Sequence, residues 1–77
     1  MKAYVLIKTH VGETVPVVRA LRKLPGVVSA DVTFGPYDAV AVVSAPAMDA
    51  IGDMITHTIH STPGVIETLT CLAVDVA

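Results

Sequence analysis

The sequence predicts an α+β domain in the order β-α-β-β-α-β: a four-stranded antiparallel sheet with two helices on one face. Three observations carry that prediction. Short runs rich in Val, Ile and Ala alternate with two longer segments whose apolar residues recur at helical spacing. The stretch Leu24-Pro25-Gly26-Val27-Val28 recurs as Thr62-Pro63-Gly64-Val65-Ile66, each time between a helix and a strand, so the chain reads as two similar βαβ halves. Between the halves, near the midpoint, stands Gly35-Pro36-Tyr37-Asp38, whose glycine, proline and aspartate are strong turn punctuation.

The elements follow in order. Ala3-Tyr4-Val5-Leu6-Ile7-Lys8 is apolar at both parities, as expected for a central strand buried on both faces. Thr9 to Gly12 is a loop. Glu13 or Thr14 opens a helix to about Leu24, with Val17, Val18, Leu21 and Leu24 as one stripe. Pro16 is tolerated in its first turn, where the missing N–H has no intrahelical partner to lose. Arg19, Arg22 and Lys23 lie off the stripe near the helix end, where the helix dipole favours cations. Pro25-Gly26 stops it. Val28 to Phe34 alternates apolar with polar, the pattern of a half-buried edge strand.

After the hairpin tip, Ala39 to Ser44 is again apolar on both faces and predicts the second central strand. Ala45-Pro46 breaks it. A second helix runs from about Ala47 to Ser61, with Met48, Ile51, Ile55 and Ile59 as its buried stripe. Val65 to about Val74 is the last strand, and Glu67, Thr68 and Thr70 mark it as an edge. First and third strands central, second and fourth at the edges, is the ferredoxin-like plan. Right-handed crossovers place both helices on one face of the sheet.

The other face is then bare. In a single 77-residue domain, 53% apolar and 16% charged residues are more apolar material than one small core hides. The expected outlet is a two-fold dimer packed sheet to sheet, a dimeric α+β barrel-type assembly with no stable monomer. The core itself must be Val, Ala, Ile and Leu, because the aromatics are only Tyr4, Phe34 and Tyr37.

Composition also narrows function. A net charge of -2 lacks the basic footprint of a nucleic-acid binder. The one cysteine, Cys71, allows no internal disulfide and is expected to be buried as a small apolar residue. No signal-like start and no membrane-length apolar run are present, so the expected location is the cytoplasm. No nucleophile elbow, phosphate loop, CxxC or paired acids stand out. The sequence therefore predicts no enzyme and no cofactor. Asp53, His57 and His60 lie off the Ile stripe of the second helix; three ligands on one face could hold a metal, but their spacing matches no specific motif, and a solvated face is the plainer reading.

The residues left for chemistry are at the hairpin tip and on the last strand. Asp38 either caps its own turn or accepts a ligand ammonium, Tyr37 offers a ring wall and a hydroxyl, and Gly35 lets a ligand approach the backbone. Thr68 and Thr70 share one face of the last strand, as edge-strand hydroxyls or as donors to a ligand carboxylate.

Taken together, Ala3-Tyr4-Val5-Leu6-Ile7, Leu24-Pro25-Gly26-Val27, Gly35-x-Tyr37-Asp38 and Thr62-Pro63-Gly64-Val65 resemble, over essentially the whole chain, the ligand-binding or RAM domain of the Lrp/AsnC transcription regulators. The resemblance implies sheet-to-sheet dimers that assemble further, often into octamers. It also implies an amino acid or related effector held between dimers near Gly35, Tyr37 and Asp38, with Thr68 and Thr70 at last-strand positions of the motif. Family regulators carry a helix-turn-helix domain before this one; here the first strand follows Met1, so the expectation is a stand-alone module without a DNA reader. Such a module senses a metabolite itself or co-assembles with full-length regulators. Two alternatives stay open: an effector-free interaction module, and a small dimeric α+β barrel enzyme of the monooxygenase or isomerase kind.

Overall fold

The computed structural model describes residues 1–76. Its strands are β1 (Lys2–Thr9), β2 (Val27–Val32), β3 (Ala39–Ser44) and β4 (Val65–Leu72), and its helices are α1 (Thr14–Leu21) and α2 (Met48–Met54), the latter running on as a π-helical segment, Ile55–Ile59. The sheet order is β2-β3-β1-β4, and every neighbouring pair is antiparallel. This is the predicted ferredoxin-like plan, with β1 and β3 central.

Alternation along the strands decides which residues meet the helices. One face presents Ala3, Val5 and Ile7 of β1 beside Ala39, Ala41 and Val43 of β3, all fully buried. Val17, Val18 and Leu21 of α1 and Ile51, Ile55 and Ile59 complete the core from above. No aromatic takes part, as composition required. The opposite face carries rows such as Asp31–Val40–Leu6–Leu69 and Ser29–Val42–Tyr4–Cys71, read across from β2 to β4. Within one chain that face is uncovered: Tyr4 is 41% and Leu69 47% exposed. Within one chain the central strands are thus buried on the helix side.

Three expectations are corrected. Cys71 is exposed, because it is paired with Tyr4 on the open face. Met48 is 60% exposed and stands outside the buried stripe, at the first residue of α2. Helix α1 stops one turn before Leu24: the Lys23 and Leu24 amides bond to the carbonyls of Ala20 and Leu21, three residues back. Such bonds tighten a last turn, and Leu24 still packs against the core.

The π segment has a packing cause. Residues spaced by four drift around a helix of 3.6 residues per turn. The wider turn, in which the His60 amide bonds to the Ile55 carbonyl, takes up that drift. Ile51, Ile55 and Ile59 are therefore all buried.

The two Pro-Gly turns brace each half against the other. Gly26 and Gly64 have φ of 87° and 97°, a conformation that favours glycine. A side chain at Gly26 would meet Met54, the last residue of α2, and one at Gly64 would meet Val17 of α1 at 2.7 Å. Their carbonyls accept the amides of Ser44 and His10, at the ends of the central strands.

Candidate functional site

The connection from β2 to β3, residues 33–38, is closed by its own backbone. The Thr33 amide donates to the Asp38 carbonyl at 2.9 Å, and the Thr33 hydroxyl donates to the Tyr37 carbonyl at 2.8 Å. The Asp38 amide donates to the Ile7 carbonyl of β1 at 2.9 Å. These bonds fix both ends of the loop and leave its tip free. Gly35 has open space where a side chain would stand, so a ligand can reach the backbone there.

Gly35 and Tyr37 line an open, almost wholly apolar hollow of about 520 Å³ with Leu6, Thr33, Phe34, Pro36 and Val40. Leu6 and Val40 place it on the open face of the sheet. The Lys8 ammonium lies 5.6 Å from the centre of the Tyr37 ring, within cation–π range. Asp38 does not line this hollow. Its Oδ2 accepts the Thr9 amide at 2.9 Å and the Thr9 hydroxyl at 3.4 Å. The Asp38 carboxylate therefore caps the end of β1, while Oδ1 has no hydrogen-bond partner among the described residues. Of the two readings of Asp38, capping of its own turn is not what Oδ2 does: it accepts from Thr9, across the chain.

Thr68 and Thr70 stand elsewhere. Opposite Ile7 and Val5 in the β1–β4 register, they belong to the helix-side face. Thr70 lines a separate apolar groove of about 340 Å³ between α2 and β4, with Met48, Ile51, Gly52, Ile55, Thr56 and Leu72. Thr68 is hydrogen-bonded to the imidazole of His60. Within one chain the structure brings Gly35 and Tyr37 together, with Asp38 beside them, and does not bring Thr68 or Thr70 to them.

The outer face of the second helix resolves into pairs. His57 Nε2 and Asp53 Oδ1 are 3.3 Å apart and well exposed, whereas His60 turns to Thr68. Among the described residues no group of three or more His, Cys, Asp or Glu side chains is placed to hold a metal ion. Nor is any helix long and apolar enough to cross a membrane.

Sequence reasoning missed Thr9 and Thr14. Their hydroxyls are 2.6 Å apart and connect the Asp38 contact to the start of α1. A signal was present: Thr9 continues the core-facing series Ala3, Val5, Ile7, and a hydroxyl at a core position requires a partner.

Comparison with known proteins places this geometry. The family model of the Lrp/AsnC ligand binding domain matches residues 2–76. Among solved structures, a protein of Thermus thermophilus superposes with a TM-score of 0.91 at 33% identity, over 99% of this chain and 95% of that one. Escherichia coli AsnC superposes with a TM-score of 0.89 at 19% identity, over 96% of this chain and 50% of its own. A transcriptional regulator of Neisseria meningitidis, solved as a complex with L-Met, gives 0.85 at 18% identity, over 96% of this chain and 49% of its own. This chain thus spans about half the length of those two regulators, and at such identities the likeness shows the fold. No curated protein matches the sequence. With the family model matching nearly every residue and the fold in agreement, the chain belongs to the Lrp/AsnC ligand-binding domain family.

Proposed function

We propose that this domain binds an amino acid or a closely related effector at the 33–38 loop and acts through assembly, with copies of itself and with full-length regulators of the family. The family is one of regulatory ligand-binding domains rather than enzymes, and one regulator of the same fold was solved with L-Met. The observation that carries the reading is the loop: its ends are fixed by backbone hydrogen bonds, while Gly35 leaves the tip open and Asp38 keeps Oδ1 unpaired.

An α-amino acid needs an anion for its ammonium and donors for its carboxylate. Asp38 Oδ1 supplies the first, and free backbone amides at the loop tip begin to supply the second. Tyr37 walls the hollow for the side chain. Thr68 and Thr70 lie away from the loop within one chain, so an effector held between dimers takes its loop and its threonines from different copies. In this reading the domain works in the cytoplasm and reaches transcription through assembly with full-length regulators.

Thermal shift with each of the twenty amino acids at millimolar concentration tests the proposal. A ligand at a hundred times its Kd adds about 2.7 kcal/mol, which in a domain of this size raises Tm by about 10 °C or more. No shift with any of them overturns effector binding. A second reading, an interaction module without effector, is favoured by the apolar sheet face of Tyr4, Leu6, Val40 and Val42, which one chain leaves uncovered. Capture of a full-length regulator of the family without added metabolite is the result that selects it.

A further inference from the structure

Thr9 is buried, at 7% exposure, in the position after Ile7 on the core-facing side of β1. Beyond Ile7, β3 no longer runs alongside β1. The Thr9 amide would lack a ladder partner, and the Asp38 carboxylate takes that place. A carboxylate only accepts, and each hydroxyl has one proton to donate. The chain of contacts therefore runs one way: the Thr14 hydroxyl donates to Thr9 Oγ1, and the Thr9 hydroxyl donates to Asp38 Oδ2. Both donors of Thr9, amide and hydroxyl, converge on one oxygen and leave the other free.

We propose that Thr9 is a positioning residue of the effector loop. With Thr14 behind it, Thr9 holds Asp38 by Oδ2 and so presents Oδ1 to the ammonium of the bound amino acid. The inference rests on the reading of the 33–38 loop as the effector loop. It adds that affinity depends on two threonines that touch no effector, and that the loop is tied through them to the first residue of α1.

Amide hydrogen exchange by NMR and amino-acid titration, on the full chain and on Thr9→Val, Thr9→Ser and Thr14→Val, test it. Valine matches threonine in shape and keeps the amide, so only the hydroxyl is lost. Thr9→Val is expected to speed exchange of the Thr33 and Asp38 amides by about two- to tenfold, the worth of one ordinary hydrogen bond. The ladder amides at the Lys2 end of β1 should be unchanged. The same variant should weaken binding of the amino acid that shifts the parent protein most by about two- to tenfold. Thr9→Ser should restore both readings, and Thr14→Val should show the same local change, more weakly. Loop exchange in Thr9→Val equal to the parent overturns the proposal, as does unweakened binding. If the parent binds no amino acid, the proposed function falls; loop exchange then still decides whether Thr9 positions Asp38. Should Thr9→Val fail to fold, Thr14→Val takes the same readings, and unchanged loop exchange there overturns the proposal.

Discussion

Replacing Val42 with aspartate tests whether the open face of the sheet is an assembly surface. Val42 lies at the middle of that face, between Ser29 of β2 and Tyr4 of β1. Within one chain it is half-buried, as are Leu6 and Val40. Full burial of a valine or leucine side chain is worth roughly 1.5–3 kcal/mol, so completing a half-burial adds about 1 kcal/mol each. Six residues of this face, the half-buried Leu6, Val40 and Val42 and the more exposed Tyr4, Leu69 and Cys71, counted on two chains at about that value each, give about 12 kcal/mol, within the association cost of about 4–15 kcal/mol. One aspartate per chain removes about 2 kcal/mol of that sum and buries two carboxylates at several kcal/mol each. The total penalty, about 8 kcal/mol or more, corresponds to roughly six decades in dissociation constant. Sedimentation and circular dichroism should show the parent as a dimer or larger species. Val42→Asp should lose that species and unfold or aggregate. Ala41→Asp, whose site is fully buried under the helices, should unfold whatever the assembly. A parent protein that sediments as a well-folded 8.0 kDa species at micromolar concentration refutes the reasoning. So does a Val42→Asp variant that sediments like its parent.

Other substitutions probe single contacts. Gly64→Ala combines left-handed strain with a Cβ 2.7 Å from Val17, and should cost about 2–4 kcal/mol in urea denaturation. Gly12→Ala, with φ of 82° and open space around it, should cost only the strain, about 1–2 kcal/mol; equal losses at the two sites would remove the role of the Val17 contact. Gly52→Ala, inside α2 with nothing near its missing side chain, should stabilise by about 0.5–1 kcal/mol, and a loss of stability in the assembled protein would mean that the groove beside it is filled. Gly35→Ala should leave Tm nearly unchanged, because the site is open, yet lower amino-acid affinity; unaltered affinity would remove Gly35 from the effector site.

Most of the fold was legible because it follows from two periodicities. Period 2 separated Val40 and Val42 from Ala41, and the helical period found Ile51, Ile55 and Ile59. The repeated Pro-Gly located both helix-to-strand turns. What escaped depends on contacts across the fold. The π turn answers to the packing of three isoleucines, so nothing local announces it. Met48 fits the stripe by spacing, but as the first residue of α2 it reaches the rim of a groove instead of the core. Cys71 is apolar enough for a core, yet register puts it on the uncovered face. At the candidate site, Gly35, Tyr37 and Asp38 were legible as one contiguous turn. The division between that turn and Thr68 or Thr70 was not, because it depends on which face of β4 each hydroxyl takes. The Thr9 contact with Asp38 joins residues 29 apart in the chain, a distance that no local pattern bridges.

The near-symmetry of the two halves gives Thr9 its meaning. The amide that binds the Gly64 carbonyl belongs to His10, and the amide that binds the Gly26 carbonyl belongs to Ser44. The residues just before them, Thr9 and Val43, therefore hold equivalent places, each at the core-facing end of a central strand. Val43 fills its place as a fully buried apolar residue, without any hydroxyl. The fold thus stands with an apolar side chain at that position, and the hydroxyl of Thr9 answers to something found in one half only. Two neighbours set Thr9 apart: the Thr14 hydroxyl, 2.6 Å from its own, and Asp38, at the end of the 33–38 loop. The Thr9 hydroxyl thus joins the start of α1 to the carboxylate of the most chemically distinctive turn in the chain. Holding Asp38 in one orientation is the use of Thr9 that its geometry supports.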